Sequence, residues 1–323
     1  MGEQVSGVGP GGAESGWIPD LHVFSEPRVV VQDDPAGGWL VRSASPLPPH
    51  VPLVTRHIFA WADRAPGRPF IRQRGADGAW RGVTYAEAAD RLRRIGTALL
   101  ALGLGPDRPV VVLSGNTVEH ALLGLAAQAV GIPYAAVSPA YSLADTELGK
   151  LRHILDKLTP GLIHVDSALP FAAALALEEA AGAAVFATEP AGVARARAFE
   201  ELLAAPADAG IEAVMEAVDP DAPAKLLFTS GSTGMPKGVI ATHRMMAAAQ
   251  EQVAEAWPFL RQEPPVLLDW LPWNHVFGSS KNLNMVVRHG SAMWIDDMEL
   301  LPRLTTCQMP ERLIASSRVS LSR

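Results

Sequence analysis

The sequence predicts an α/β protein whose βαβ units lay their strands on a parallel sheet. Two observations carry that expectation. Short runs such as "PVVVLSG" are apolar and rich in β-branched residues, as strands covered on both faces must be, and "GLIHVD" continues the pattern. Between them lie longer stretches whose apolar residues recur at helical spacing, so strand and helix alternate from about residue 55 to residue 297.

Residues 1–20 are polar and Gly-rich, contain no apolar core for a signal peptide, and read as a disordered start. Residues 21–54 carry Pro and Gly clusters around short apolar runs such as "RVVVQ", an irregular or β arm. Residues 55–222 read as a first α/β subdomain. Its helix over "VTYAEAADRLRRIGTALLALG" opens with a capping box, Thr84 accepting from the Glu87 amide while the Glu87 carboxylate reaches back. Leu92, Ile95, Leu99 and Leu102 then keep helical spacing, and Gly103 supplies the left-handed stop. After the strand "PVVVLSG", "NTVEHALLGLAAQAVG" repeats the helix signature with Asn116 and Glu119 as its cap pair. "PYAAVS", a helix over "DTELGKLRHILDKL", "GLIHVD" and "AAVFAT" continue the alternation, and about 188–222 reads as a surface helical connection.

Residues 223–297 start a second α/β subdomain: strand "KLLFT", a Ser/Thr/Gly loop, "GVIA", helix "THRMMAAAQEQVAEAW", strand "PVLLDW", helix "GSSKNLNMVVRH" and strand "SAMWID". Residues 298–323 form an atypical tail without Gly, Asp or Lys, which continues none of this periodicity.

Composition narrows the function classes. A net charge of −7 gives no electrostatic reason to expect nucleic acid or an anionic membrane as partner. The longest apolar run, "ALLGLAAQAVGIPYAAV", is broken by Gly131 and Pro133 and reads as a buried helix and strand, not a membrane span. The single cysteine, Cys307, excludes an intramolecular disulfide and a Cys-based zinc cluster, and fits a reducing, cytoplasmic location.

The least ordinary stretch is "KLLFTSGSTGMPKGVIATHRMM". Thr229, Ser230, Gly231, Ser232, Thr233 and Gly234 crowd together ahead of Lys237 and Gly238. Glycines let backbone amides approach an anion, hydroxyls add donors, and a lysine brings a point charge to outer phosphates. The bland alternative is a mobile linker; the apolar strand before the loop and the helix after it favour a phosphate cradle. The common ATPase loop is rejected, because the sixth residue from Gly231 is Pro236 and Lys237 is followed by Gly238.

"FTSGSTGMPKGV" resembles the phosphate-binding signature of the adenylate-forming (AMP-binding) enzymes, the superfamily of acyl- and aryl-CoA synthetases, luciferases and peptide-synthetase adenylation domains. "VTYAEAADRL", the stretch from "VVVLSGNTVEH" to "GLIHVD", and "VLLDWLPWNHVFGSSKNLNMVVRHGSAMWIDD" are most similar to the bacterial feruloyl-CoA synthetase branch, over roughly residues 20–297. The resemblance implies the fold of that superfamily's large N-terminal domain, here incomplete and without the small C-terminal domain. It also implies a two-step reaction with ATP, Mg2+ and coenzyme A. A carboxylate, with an aromatic acid favoured, attacks the α-phosphate to give an acyl-adenylate and diphosphate, and the coenzyme A thiolate then displaces AMP.

Carried over, Thr229 to Gly234, Lys237 and Gly238 would hold the β- and γ-phosphates, and His275 would lie beside the acyl pocket with Trp273 and Phe277 near it; Trp270 is a further aromatic there. Ser279, Ser280 and Lys281 depart from the feruloyl pattern. Asp296 and Asp297 read as a solvated strand end. A Tyr-Gly-x-Thr-Glu motif with its magnesium-binding glutamate, a ribose-binding aspartate and the adenylation lysine do not follow, and Lys150, Lys157 and Lys281 offer no substitute. The expectation is therefore the N-terminal part of an acid–CoA ligase, inactive by itself. The alternative is a non-catalytic nucleotide- or partner-binding fragment.

Overall fold

Residues 24–75, 77–143, 148–208, 210–229, 234–262 and 264–296 are described by the computed structural model, together with the backbone of 313–315. The arm forms an antiparallel ribbon of β1 (Val29–Asp33) and β2 (Trp39–Ser43), with Val29, Val31, Trp39 and Val41 exposed. β3 (Pro69–Arg74) and β4 (Trp80–Thr84) form a second antiparallel pair. β5 (Val110–Val112), β6 (Tyr134–Ala136), β7 (Leu162–Ser167), β8 (Ala184–Glu189) and β9 (Ala196–Ala198) are mutually parallel. β10 (Pro223–Thr229) and β11 (Lys237–Thr242) make a hairpin, and β12 (Val266–Asp269) and β13 (Ala292–Ile295) are parallel to each other and to β14 (Leu313–Ala315).

Two larger sheets result, ordered β11-β10-β6-β5-β7-β8-β9 and β14-β12-β13-β3-β4. They interleave the chain. β10 pairs with β6 and β13 with β3, so neither sheet belongs wholly to residues 55–222 or to residues 223–297. The stretch expected to be a helical surface connection also contributes β9, a parallel edge strand.

The period-two alternation of β5 separates two cores. Val110 and Val112 face the main core, which also takes Phe70 and Ile71 from β3, Met293 from β13, and the inner faces of the helices Tyr85–Ala101 and Val118–Ala129. Val111 and Leu113 face the opposite side, covered by Leu151, Ile154 and Leu155 of the helix Gly149–Leu158. The capping box at Thr84 and Glu87 is present, and Gly103 ends that helix at φ +70°. The next cap differs from expectation. Thr117, not Asn116, caps the helix Val118–Ala129 by accepting from the His120 amide at 3.0 Å, which leaves the Asn116 amide for another task. No helix among the described residues is long and apolar enough to cross a membrane.

Candidate active site

Ser230, Gly231, Ser232 and Thr233 lie outside the described residues, but both flanks of their loop are defined. Thr229 and Lys237 are directly opposed in the β10–β11 ladder, so the hydroxyl and the ammonium project from the same face of the hairpin mouth. Both are exposed, as are Gly234 and Gly238. Gly234 has φ +90° and nothing within 4 Å of where a Cβ would stand, which leaves open space beside the backbone. β10 is parallel to β6, so the mouth lies at the carboxyl end of the sheet's parallel strands, where open α/β sheets bind ligands.

The motif is not strand–loop–helix. "GVIA" is a strand, and Thr242, which caps the helix His243–Ala256, pairs with Pro223 at the far end of the hairpin. Lys237 and Thr242 are the two ends of a six-residue strand, about 17 Å apart. The first turn of that helix therefore contributes nothing to an anion held at the loop. The register of the hairpin, which a Gly-rich sequence conceals, is the reason.

The second motif begins at Asp269, the buried end of β12. Its Oδ1 accepts from the Leu271 amide at 3.2 Å and from Asn282 Nδ2 at 3.2 Å, and burial pushes its carboxyl up to about 6. Asn116 reaches across to the same turn. Its Nδ2 donates to the Leu271 carbonyl at 2.9 Å, and its Oδ1 accepts from the Trp273 amide at 3.0 Å. Lys225 Nζ donates to the Trp273 carbonyl at 3.4 Å.

The Trp273 side chain is 1 % exposed and belongs to the main core. It packs edge-on against the His120 ring at 5.0 Å. His120 is fixed in turn: Nδ1 donates to the Gly115 carbonyl at 2.7 Å, so Nε2 accepts from the Tyr134 hydroxyl. Burial pushes this imidazole down to about 3, and it stays neutral.

His275 follows with its side chain exposed. Its amide donates to the Pro272 carbonyl at 3.1 Å, and its carbonyl accepts from Ser279 Oγ at 2.8 Å. Phe277–Leu283, expected as the start of an α-helix, is instead a π-helix that runs into the α-helix Asn284–His289. A Cβ on Gly278 would stand 2.5 Å from the Leu271 carbonyl oxygen, so glycine is needed for the π-helix to lie against the turn. Phe277 is half exposed, and Lys281 Nζ stands 4.1 Å from its ring centroid.

The aromatic residues therefore divide. Trp273 is a core residue behind the turn, while His275 and Phe277 present themselves at the surface and Trp270 is partly buried. Asp296 is not a solvated strand end. Its side chain is 6 % exposed and ion-paired to Arg74 Nε at 3.1 Å. Asp297 lies outside the described residues. The two motifs meet at Lys225 and Trp273, one four residues before Thr229 and the other two before His275. Sequence reasoning gave Asn116 a capping role, left Lys225 without one and did not single out His120 and Tyr134. The one available signal was a lysine inside the otherwise apolar strand "KLLFT".

Comparison with known proteins bears on the family and the fold. The sequence profile of the AMP-binding enzyme family matches residues 58–314. 4-Coumarate–CoA ligase 2 of Oryza sativa subsp. japonica is 29 % identical over 293 residues, covering 86 % of this chain and 50 % of the rice protein. Long-chain-fatty-acid–CoA ligase FadD15 of Mycobacterium tuberculosis is 29 % identical over 254 residues, covering 77 % of this chain and 41 % of its own. This chain thus spans about half the length of the first and less of the second.

Among solved structures, apo MatB from Rhodopseudomonas palustris superposes with a TM-score of 0.60 at 24 % identity, over 78 % of this chain and 47 % of that one. The N-terminal domain of FACL13 from Mycobacterium tuberculosis superposes with 0.61 at 21 % identity, over 78 % of this chain and 60 % of that one. These structural likenesses establish the fold as that of the N-terminal domain of adenylate-forming enzymes. With the profile matching most of its length, the chain belongs to the AMP-binding enzyme family.

Proposed function

We propose that these residues form the diphosphate-holding and acid-facing part of a cytoplasmic, ATP-dependent acid–CoA ligase whose acid is an aromatic carboxylate of the ferulate type. The observation that carries this reading is the placement of Thr229 opposite Lys237 at the carboxyl end of the sheet, on a strand that is tied through Lys225 to the turn presenting His275. In the reaction a carboxylate oxygen attacks the α-phosphorus of ATP and diphosphate leaves; the thiolate of coenzyme A then displaces AMP to give the thioester.

The outgoing diphosphate gathers negative charge. Lys237, the Thr229 hydroxyl, the amides around Gly234 and Gly238, and the hydroxyls and amides of Ser230, Gly231, Ser232 and Thr233 supply the donors, each hydrogen bond to a charged group contributing roughly 1.5–3 kcal/mol. His275 and Phe277 face the acid, and Trp273 supports them from the core. The aromatic preference draws on these rings and on the likeness to a 4-coumarate–CoA ligase. Magnesium, when bound, neutralises phosphate charge; the described residues contain no cluster of three or more His, Cys, Asp or Glu to hold it.

The 323-residue polypeptide by itself is expected to bind ATP without completing adenylation, since no Tyr-Gly-x-Thr-Glu motif occurs in it. Calorimetric titration with ATP, followed by an assay for acid-dependent exchange of labelled diphosphate into ATP, tests both parts. Binding without exchange is the expected result. Absence of ATP binding contradicts the cradle, and exchange stimulated by a hydroxycinnamate contradicts the inactivity.

A further inference from the structure

Lys225 is 2 % exposed, and among the described residues no carboxylate lies within ion-pairing distance of it. A buried ammonium without a counter-charge is destabilising, so a lysine in the middle of an apolar strand calls for an explanation beyond packing. Its Nζ stands 5.2 Å from the Tyr134 ring centroid and donates to the Trp273 carbonyl. It also lines a cavity of about 10 Å³, the room of one water molecule, together with His120, Tyr134, Ser279 and Asn284. Among the described residues Asn284 Nδ2 has no hydrogen-bond partner.

Ser279, on the wall of that cavity, is the residue whose hydroxyl holds the His275 carbonyl. The stretch from Trp273 to His275 is thus gripped at both ends from one small polar chamber. Asn116 grips the turn a second time. Thr117 has taken over helix capping, and both polar atoms of the Asn116 amide are spent on Leu271 and Trp273. The His275 side chain is exposed, so the backbone beneath it sets where the imidazole stands, and a surface loop holds a geometry only as well as its scaffold does.

We propose that Lys225 and Asn116 are positioning residues for His275: acting from two separate elements, they fix the Leu271–Trp273 turn and with it the place of the imidazole beside the acid. The functional meaning rests on the acid-facing reading of His275 given above; the mechanical claim does not. The ammonium strengthens its bond to the carbonyl while it keeps its proton, and burial brings that proton's pKa down to about 7. The groups facing Nζ are the neutral His120 imidazole and the un-ionised Tyr134 phenol, both kept uncharged by burial.

The test is NMR of the 323-residue chain with histidine labelled at Cε1, the His275 signal being assigned from its loss in His275→Asn. Lys225→Met and Asn116→Ala are each expected to move and broaden the His275 signal. His164, fully buried on β7, serves as the internal reference and keeps its shift. Asn116→Asp retains the acceptor for the Trp273 amide but sets an oxygen against the Leu271 carbonyl in place of the donor, so it too should move the signal. If Asn116→Ala does not fold, Lys225→Met and Asn116→Asp carry the test. A lowered melting midpoint with an unmoved His275 signal in the folded variants overturns the proposal, because it leaves these residues a structural role only. Adding a para-hydroxylated cinnamate to the wild type checks the other reading separately. No response of the His275 signal removes the acid-facing role, while the variants still decide the positioning.

Discussion

The turn before His275 is held by four hydrogen bonds, from Asn116, Lys225 and Asp269, over a tryptophan buried in the core. The mouth of the β10–β11 hairpin, in contrast, leaves Thr229, Gly234, Lys237 and Gly238 exposed, and among the described residues His153 Nε2 ties to its Pro236 carbonyl at 3.1 Å. On the proposed function, the difference follows from what each motif would handle. A group that must face a particular acid needs a preorganised backbone, whereas a cradle of amides, hydroxyls and one cation can close around a diphosphate that supplies the missing charge. Damage to the first motif should therefore appear as lost stability and lost position, and damage to the second as lost binding with the fold intact.

The largest expected effect is that of Trp273→Ala. Removing a fully buried indole costs roughly 3–5 kcal/mol, and a denaturant titration should show it as a large drop in midpoint. A small drop would mean that the turn does not depend on the core. Gly278→Ala comes next. Its Cβ meets backbone at 2.5 Å and cannot be relieved by a side-chain rotation, so a loss of about 1–3 kcal/mol is expected. Asn116→Ala leaves a part-buried acceptor at Leu271 and a part-buried donor at Trp273 without this partner, a loss of about 1–2 kcal/mol. A neutral result in the same melt would remove Asn116 from the account.

Lys225→Met sharpens the comparison through pH. Burial lowers the native pKa of Lys225 from 10.5 to about 7. Between those values the unfolded chain holds the extra proton, so this group makes the wild type more stable as pH rises through that window. Lys225→Met should flatten that part of the stability–pH curve, and an unchanged slope would show that Lys225 is not buried as described. Lys237→Ala stands last for the fold, within about 0.5 kcal/mol of wild type, because its side chain is exposed at a loop mouth.

The sequence alone disclosed the alternation, the capping box at Thr84 and the family, since these rest on local pattern. Sheet membership was not legible. β3 and β13 are distant in the chain yet adjacent in space, and no local signal reports a crossover. Asn116 shows the same limit on a smaller scale. Its position before a helix suggests a cap, and only the approach of Leu271 and Trp273 reveals the competing partner. The π-helix after His275 was hidden because "GSSKNLNMVVRH" satisfies α-helical spacing equally well. Lys237 was visible because the residues around it are unusual, and Lys225 was overlooked because apolar neighbours make it look incidental.

The central claim is that the hairpin mouth is a diphosphate cradle while the His275 turn is a fixed scaffold. Titration of the 323-residue chain with inorganic diphosphate, followed by backbone amide NMR, tests it most directly. The account predicts shifts concentrated on the amides from Thr229 to Gly238 and little change at Leu271 and Trp273, with affinity falling roughly tenfold or more in Lys237→Ala, as loss of a hydrogen bond to a charged group implies. Diphosphate shifts spread evenly over the surface, or an affinity indifferent to Lys237→Ala, would contradict it.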